Sequence, residues 1–167
     1  QATVRTQTLL HATPAECVQR ANTQIYHCTR PGKFASMFYA QLQRDSHRLT
    51  YVNAGHNYPY LISRGGEVRR LEEGGVVLGV MESFPFAETA IPLAPGDLLL
   101  LYSDGITEAV NDKNEEFSEE RMVRAVADYR HKPAEQLIRR VVGAVQDFAM
   151  GCAQSDDMTL VILKRLE

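Results

Sequence analysis

Alternating and continuous apolar segments predict that the middle of the chain is built from β-strands. Apolar residues dominate or alternate in the segments 34–43, 48–53, 58–63, 67–71, 88–93 and 97–103. Short polar or glycine-containing turns separate the first segment from the second, the third from the fourth and the fifth from the sixth. Because strands joined by a short turn pair in antiparallel fashion, this pattern predicts three hairpins.

Helices are predicted on both sides of these strands. Residues 13–16, with the sequence Thr-Pro-Ala-Glu, form a capping box that predicts a helix over 14–29. Further helices are predicted over 118–129, capped by its first serine, and over 133–150, opened by its proline. Residues 158–163 lack polar alternation, which predicts a final strand buried within a sheet. Hairpins followed by helices indicate an α+β fold rather than a parallel, doubly wound sheet.

Two acidic segments lie directly beside strongly apolar strands. The sequence LLLLYSDGITEAV places Asp104 just after a strand, and SDDMTLVILK places Asp156 and Asp157 just before the last strand. Strand ends are rigid supports, and hard divalent cations such as Mg²⁺ or Mn²⁺ prefer carboxylate oxygens. Taken singly, each segment is also explained as a turn or as a polar start to a strand. Together they predict that two strand ends meet at one metal ion.

Composition and charge narrow the classes of function. The 167 residues are 44% hydrophobic and 23% charged, which is enough for one sizeable core of a globular protein. A net charge of -3 argues against a nucleic-acid surface, and the basic pairs at 69–70 and 139–140 are interpreted as solvated positions. The apolar runs are far shorter than the roughly 20 residues that span a bilayer. Three widely spaced cysteines without metal-ligand spacing predict reduced thiols and a cytoplasmic location.

Four motifs follow one another along the chain: NAGHNYPYL at 53–61, GGVVLGV at 74–80, YSDGITEA at 102–109 and SDDMTLVILK at 155–164. In this order they resemble the PPM family of metal-dependent protein serine/threonine phosphatases, and most closely its SpoIIE/RsbU-like bacterial branch. The resemblance covers nearly the whole chain and implies an α+β fold in which an antiparallel β-sandwich is flanked by helices (αββα). It also implies a single phosphatase domain over 1–167, truncated at its N-terminal side. The family's G-D-x-x-D-like and D-V-S-G-like aspartate segments are not found in this sequence.

The resemblance assigns roles to particular residues. Asp104 and Asp156 match metal-ligand aspartates of the family, which binds two Mn²⁺ or Mg²⁺ ions in the intact domain. Asp157, Ser103 and Gly105 lie beside these ligands, and they are expected to position the ligands rather than bind the metal directly. The missing N-terminal aspartates would complete the two-metal site.

His56 stands where eukaryotic members of the family carry an aspartate that is linked to an additional metal. Its imidazole is a candidate for contacting phosphate, for orienting its loop or for transferring a proton. A structural histidine that holds the turn at 55–57 is the simpler interpretation.

The resemblance implies hydrolysis of phosphoserine or phosphothreonine by water that the metals activate. The implied substrate is a phosphorylated STAS-type anti-anti-sigma protein, and homodimerisation and fusion to a sensory or receiver domain are further expectations. The chain by itself is expected to be inactive because it lacks the N-terminal ligands. The alternative is a degenerate phosphatase-like module that binds a sigma-factor regulator or adaptor without catalysis. The residues upstream of this chain would distinguish an enzyme from a binding module.

Overall fold

The structure is a computed structural model that describes residues 13–30, 32–154 and 156–166. The chain divides into two compact units, of which the first includes residues up to His56 together with Glu72–Leu93. The second unit consists of Asn57–Leu71 and the residues from Ala94 onward. The assignment of the whole chain to a single domain stays a prediction.

The helices and strands follow a simple order along the chain. In that order they are α1 (Pro14–Cys28), β1 (Met37–Gln43), β2 (Arg48–Ala54), β3 (Tyr60–Ile62), β4 (Val68–Arg70), β5 (Gly74–Gly75), β6 (Thr89–Pro92), β7 (Leu98–Tyr102), α2 (Asp104–Thr107), α3 (Ser118–Ala127), α4 (Ala134–Ala149) and β8 (Leu160–Lys164). None of the helices in the described ranges is long and apolar enough to cross a bilayer.

The predicted capping box at the start of α1 is confirmed. The backbone N–H of Glu16 donates to Thr13 Oγ1 at 3.3 Å, and the N–H of Thr13 donates to the Glu16 carboxylate at 2.9 Å. Because the first turn of a helix has no internal acceptors for its N–H groups, these two bonds fix where α1 begins. The buried face includes Cys17 and Val18, whereas Cys28 at the end of the helix is exposed.

The first unit contains a sheet in which β2 is central. β1 and β2 form an antiparallel hairpin from Met37 opposite Ala54 to Gln43 opposite Arg48, as the sequence predicts. On the other side of β2, β6 pairs antiparallel with the first part of the strand and β5 pairs parallel with its last two residues. Val18 of α1 and Val52 of β2 are both fully buried in the same apolar cluster, so α1 covers this sheet.

The second unit contains a sheet with the strand order β4-β3-β7-β8. The predicted hairpin of β3 and β4 is confirmed, but the third predicted hairpin, between β6 and β7, is wrong. The chain changes partners within the turn between them, where Leu93 N donates to His47 O and Gly96 N donates to Arg165 O. A Pro-Gly sequence indicates a turn, but it does not determine whether the next strand returns to the same neighbour.

The last strand, β8, is less buried than the sequence predicts. Among the described strands it pairs only with β7, and Val161 is 51% exposed. An uninterrupted apolar run is typical of a strand with both faces covered, yet it says nothing about which strand forms the edge of a sheet. The prediction of a fully buried final strand is therefore corrected.

Helices α3 and α4 pack on the sheet of the second unit. The fully buried side chains that they contribute are Met122, Val126, Leu137 and Val141. Pro133 directly precedes α4, as expected. Ser118 does not cap α3, because it is the first helical residue, has a φ of 70° and follows an N-cap, Phe117, that makes no side-chain cap hydrogen bond.

Two tyrosines share one carboxylate where α3 meets the sheet. Tyr60 Oη donates to Glu119 Oε2 at 2.6 Å, Tyr102 Oη donates to Glu119 Oε1, and the two rings stack with centroids 6.1 Å apart. Burial, followed by the hydrogen bond to Glu119, raises the pKa of Tyr60 from 10.0 to about 12, and the same causes raise the pKa of Tyr102. Both hydroxyls therefore stay protonated in the folded protein well above the pH at which a free tyrosine ionises.

These raised pKa values predict a loss of stability at alkaline pH. The unfolded chain releases the tyrosine protons near pH 10.0, whereas folded Tyr60 releases its proton at about 12. The contribution to the free energy of unfolding is therefore complete below pH 10.0 and is lost as the pH rises through about 12. Urea denaturation between these pH values should show that the free energy of unfolding declines less steeply with pH for Tyr60→Phe than for the wild type. Tyr26→Phe, at an exposed tyrosine of the first unit, is the control and should keep the wild-type decline.

Candidate functional site

Asp104 lies where β7 passes directly into the single turn of α2. Its backbone is held by that turn, because Glu108 N donates to Asp104 O at 2.8 Å and Thr107 Oγ1 donates to the same oxygen at 3.3 Å. The side chain is exposed, and one of its oxygens accepts from Gly105 N at 3.0 Å. The buried residues on both sides, Tyr102 and Ile106, anchor the segment while the carboxylate stays at the surface.

The segment that carries Asp156 and Asp157 is bound to the Asp104 segment through Ser103. Ser103 Oγ donates to Asp157 O and accepts from Thr159 N, both at 2.9 Å. The backbone adds a third bond from Ser103 N to Thr159 O at 3.0 Å. These bonds extend the pairing of β7 with β8 to the ends of both strands, so the structure brings the two predicted acidic segments together.

Gly105 permits a still closer approach of the two segments. A Cβ atom built on Gly105 would lie 2.5 Å from Asp157 O, closer than real Cβ atoms come to another atom, and a tight 3.0 Å from Asp156 O. The position therefore needs glycine for lack of space rather than for an unusual backbone angle. The expectation that Ser103 and Gly105 position the acidic residues has a physical basis in these contacts.

The carboxylates in these segments suit a hard divalent cation. Asp104, Asp156 and Asp157 are all exposed, and no ion pair within the described residues occupies them. Asp156 Oδ1 accepts from Asp157 N at 2.7 Å, which orients one carboxylate. Oxygen ligands of this kind match the preferences of Mn²⁺ and Mg²⁺. No group of three or more His, Cys, Asp or Glu side chains in the described residues is arranged to hold a metal.

His56 belongs to the first unit, at the turn that follows β2. The turn is held by Asn53, whose Oδ1 accepts from His56 N at 2.8 Å and whose Nδ2 donates to His56 O at 3.0 Å. Gly55 in this turn has a φ of +70°, and a Cβ there would lie 2.4 Å from Val77 Cγ1. The turn is thus pinned by the buried amide of Asn53 acting on the backbone of His56.

Sequence reasoning missed two buried asparagines that organise the first unit. Besides Asn53, Asn22 of α1 is fully buried and donates through Nδ2 to Met81 O at 2.8 Å and to Glu82 O at 3.2 Å. Its Oδ1 accepts from Gly79 N at 2.9 Å, so one amide fixes the end of the GGVVLGV motif together with the two residues that follow it. A polar residue on the otherwise apolar face of α1 was the available signal.

Comparison with known proteins places these features in a family. The family described as Stage II sporulation protein E (SpoIIE) matches residues 1–166. The phosphoserine phosphatase RsbU of Bacillus subtilis (strain 168) is 26% identical over 156 residues, which cover 91% of this chain and 45% of RsbU. The chain thus spans less than half the length of that relative.

Solved structures show the same fold. The SiaA-PP2C domain of Pseudomonas aeruginosa superposes with a TM-score of 0.83 at 18% identity, covering 98% of this chain and 66% of that one. The structure of RsbU and RsbW domains from Mycobacterium tuberculosis superposes with a TM-score of 0.76 at 23% identity, covering 99% of this chain and 45% of that one. The predicted α+β phosphatase fold with mainly antiparallel sheets and helices is confirmed. Since the family match covers almost every residue, the chain belongs to the SpoIIE family, within the SpoIIE/RsbU-like branch of the PPM phosphatases.

Proposed function

We propose that this chain is part of a metal-dependent protein serine/threonine phosphatase in which Asp104 and Asp156 bind Mn²⁺ or Mg²⁺. The observation that carries the proposal is the junction of the two acidic segments, where Ser103 bonds to Asp157 O and Gly105 lies against the backbone of both aspartates. Two exposed carboxylate-bearing segments that are locked together would repel each other, and a divalent cation between them relieves that repulsion.

The residues of this chain have distinct tasks in the proposed site. Asp104 and Asp156 bind the metal, Ser103 and Gly105 keep their segments in register, and Asp157 accepts hydrogen bonds beside the ligands. When bound, the divalent cations supply Lewis acidity toward water and toward phosphoryl oxygens. The rest of the ligand set is proposed to come from aspartates upstream of this chain, as in the family. His56 is proposed to orient its loop, with a contact to phosphate as its further candidate role.

The proposed substrate is a phosphoserine or phosphothreonine on a bacterial regulatory protein of the STAS anti-anti-sigma type. Membership of the SpoIIE family and the name of the RsbU relative, a phosphoserine phosphatase, support this class. A solved neighbour with RsbU and RsbW domains supports a place among such regulatory proteins. A cytoplasmic location, a homodimer and fusion to a sensory or receiver domain belong to the same proposal.

The test uses this chain and an extended protein, defined as this chain preceded by the two aspartate-bearing N-terminal segments typical of the family. The extended protein should release phosphate from a phosphoserine peptide only with Mn²⁺ or Mg²⁺, and EDTA should stop the release. The 167-residue chain alone should release little. If the extended protein binds a phosphorylated STAS protein but releases no phosphate with either metal, the degenerate binding module is the correct alternative.

A further inference from the structure

A cavity of about 370 Å³ in the second unit collects basic side chains from three separate segments. Arg64 comes from the turn between β3 and β4, Arg130 and His131 follow α3, and Lys164 and Arg165 end β8. We call this cavity the basic pocket.

The basic pocket also includes Gly96, in the turn that precedes β7, whereas Asp104 follows β7. The basic pocket and the acidic segments therefore lie at opposite ends of one strand.

Two of the cationic side chains are held in place by neutral backbone acceptors. Arg130 Nε donates to Arg64 O at 2.9 Å, and its Nη1 donates to Ala127 O at 2.9 Å. Lys164 Nζ donates to Arg130 O at 2.7 Å and to Lys132 O at 2.9 Å. Carbonyl oxygens orient these groups without cancelling their charge. Each side chain also keeps N–H groups beyond those used in these bonds, so donors remain for a ligand.

The charge of the pocket stands out against the rest of the protein. The chain carries a net charge of -3, yet none of the described residues that line the pocket is acidic. The nearby Asp97 is buried, and its two carboxylate oxygens accept from Arg64 N at 3.1 Å and Ala94 N at 2.8 Å. Like charges that are gathered in a concave surface raise the local potential and favour an anion.

We propose that the basic pocket binds a small molecule with a diphosphate group. Arginine and lysine are the usual partners of phosphate oxygens, and a convergent set of them suits two linked phosphates better than a single one. The volume lies at the lower end of the range for small-molecule sites. Inorganic pyrophosphate and the diphosphate of a nucleotide such as ADP share this chemistry. The proposal does not depend on the phosphatase function, because the pocket uses none of the proposed metal ligands.

The experiment is calorimetric titration of the 167-residue chain with pyrophosphate and, separately, with ADP, in EDTA so that no metal bridges the anion to an aspartate. Binding should be detectable at millimolar concentration or below and should weaken as salt is added. The double variant Arg130→Gln and Lys164→Gln should bind roughly tenfold or more weakly. The side chains of Arg130 and Lys164 also bond to backbone carbonyls, so their loss could disturb the fold. A second double variant, Arg64→Gln with Arg165→Gln, therefore removes two charges but keeps the bonds that Arg130 and Lys164 make to those carbonyls.

Two control variants show whether binding depends on the basic pocket itself. Arg124→Gln with Arg139→Gln removes two exposed cations elsewhere in the same unit and should leave the affinity unchanged. Asp104→Asn should also bind normally, even if it abolishes phosphatase activity in the extended protein. Preferential binding of ADP would identify a nucleotide as the source of the diphosphate, and equal binding would identify the diphosphate alone as the determinant. No binding of either probe to the wild type, or equal binding by every folded variant, would overturn the proposal.

Discussion

Asp104→Asn is expected to reduce the Mn²⁺-dependent release of phosphate by the extended protein roughly a hundredfold or more. The amide keeps the size of the side chain and one oxygen but removes the negative charge that a hard cation requires. The backbone of the segment should be unchanged, since Glu108 N and Thr107 Oγ1 donate to the main-chain oxygen of Asp104. Initial rates over a range of Mn²⁺ concentrations would measure the effect, and excess metal should restore part of the activity.

The matched control is Asp112→Asn, which removes an exposed carboxylate from the loop that follows α2. This variant should keep the wild-type rate and the wild-type dependence on Mn²⁺. If both variants lose activity to the same extent, general attraction of Mn²⁺ to negative charge on the protein, rather than direct binding by Asp104, accounts for the result. If neither loses activity, Asp104 has no role in binding the metal.

Gly105→Ala is expected to destabilise the protein by about 1–3 kcal/mol, because the new methyl group must push against backbone atoms rather than flexible side chains. The nearest of these atoms, Asp157 O, would lie 2.5 Å from the added carbon. Relief of this clash requires the Asp104 segment to move away from the segment of Asp156 and Asp157. The extended protein should therefore lose much of its affinity for Mn²⁺ although no carboxylate has been changed.

Gly143→Ala is the matched control for this steric effect. Gly143 lies within α4, and a Cβ there would meet nothing within 4 Å. Alanine favours helix over glycine, so this change should stabilise the protein by about 0.5–1 kcal/mol. Urea denaturation of both variants gives the comparison. Equal stability of Gly105→Ala and the wild type would show that the two acidic segments are not held as closely as the structure indicates.

Local patterns predicted much of the fold, whereas the choice of partners over a distance was harder to predict. The capping box at Thr13 and the hairpins of β1 with β2 and β3 with β4 depend on neighbouring residues, and all three predictions are confirmed. The hairpin of β6 with β7 failed because each strand pairs with one that is distant in sequence. Turn chemistry alone cannot determine such a pairing.

In the candidate site, too, local sequence patterns were informative, whereas contacts between distant segments were harder to predict. The proximity of the two acidic segments was predicted from aspartates that directly follow one apolar strand and directly precede another, and Ser103 and Gly105 supply the contacts that hold the segments together. The role of Asn53 was missed, because the NAGH motif draws attention to the imidazole of His56 while the fixing bonds go to its backbone. The basic pocket was also missed, since its side chains come from segments that are far apart in the sequence.

A double-mutant cycle on Mn²⁺ affinity would decide the claim that Asp104 and Asp156 bind a common metal ion. Free Mn²⁺ would be measured by electron paramagnetic resonance for the extended protein, for Asp104→Asn, for Asp156→Asn and for the double variant. If the two aspartates share an ion, each single variant should lose most of the affinity and the double variant should lose little more. If the losses of Mn²⁺-binding free energy in the two single variants add up in the double variant, or if the single variants bind Mn²⁺ as tightly as the wild type, the claim is contradicted.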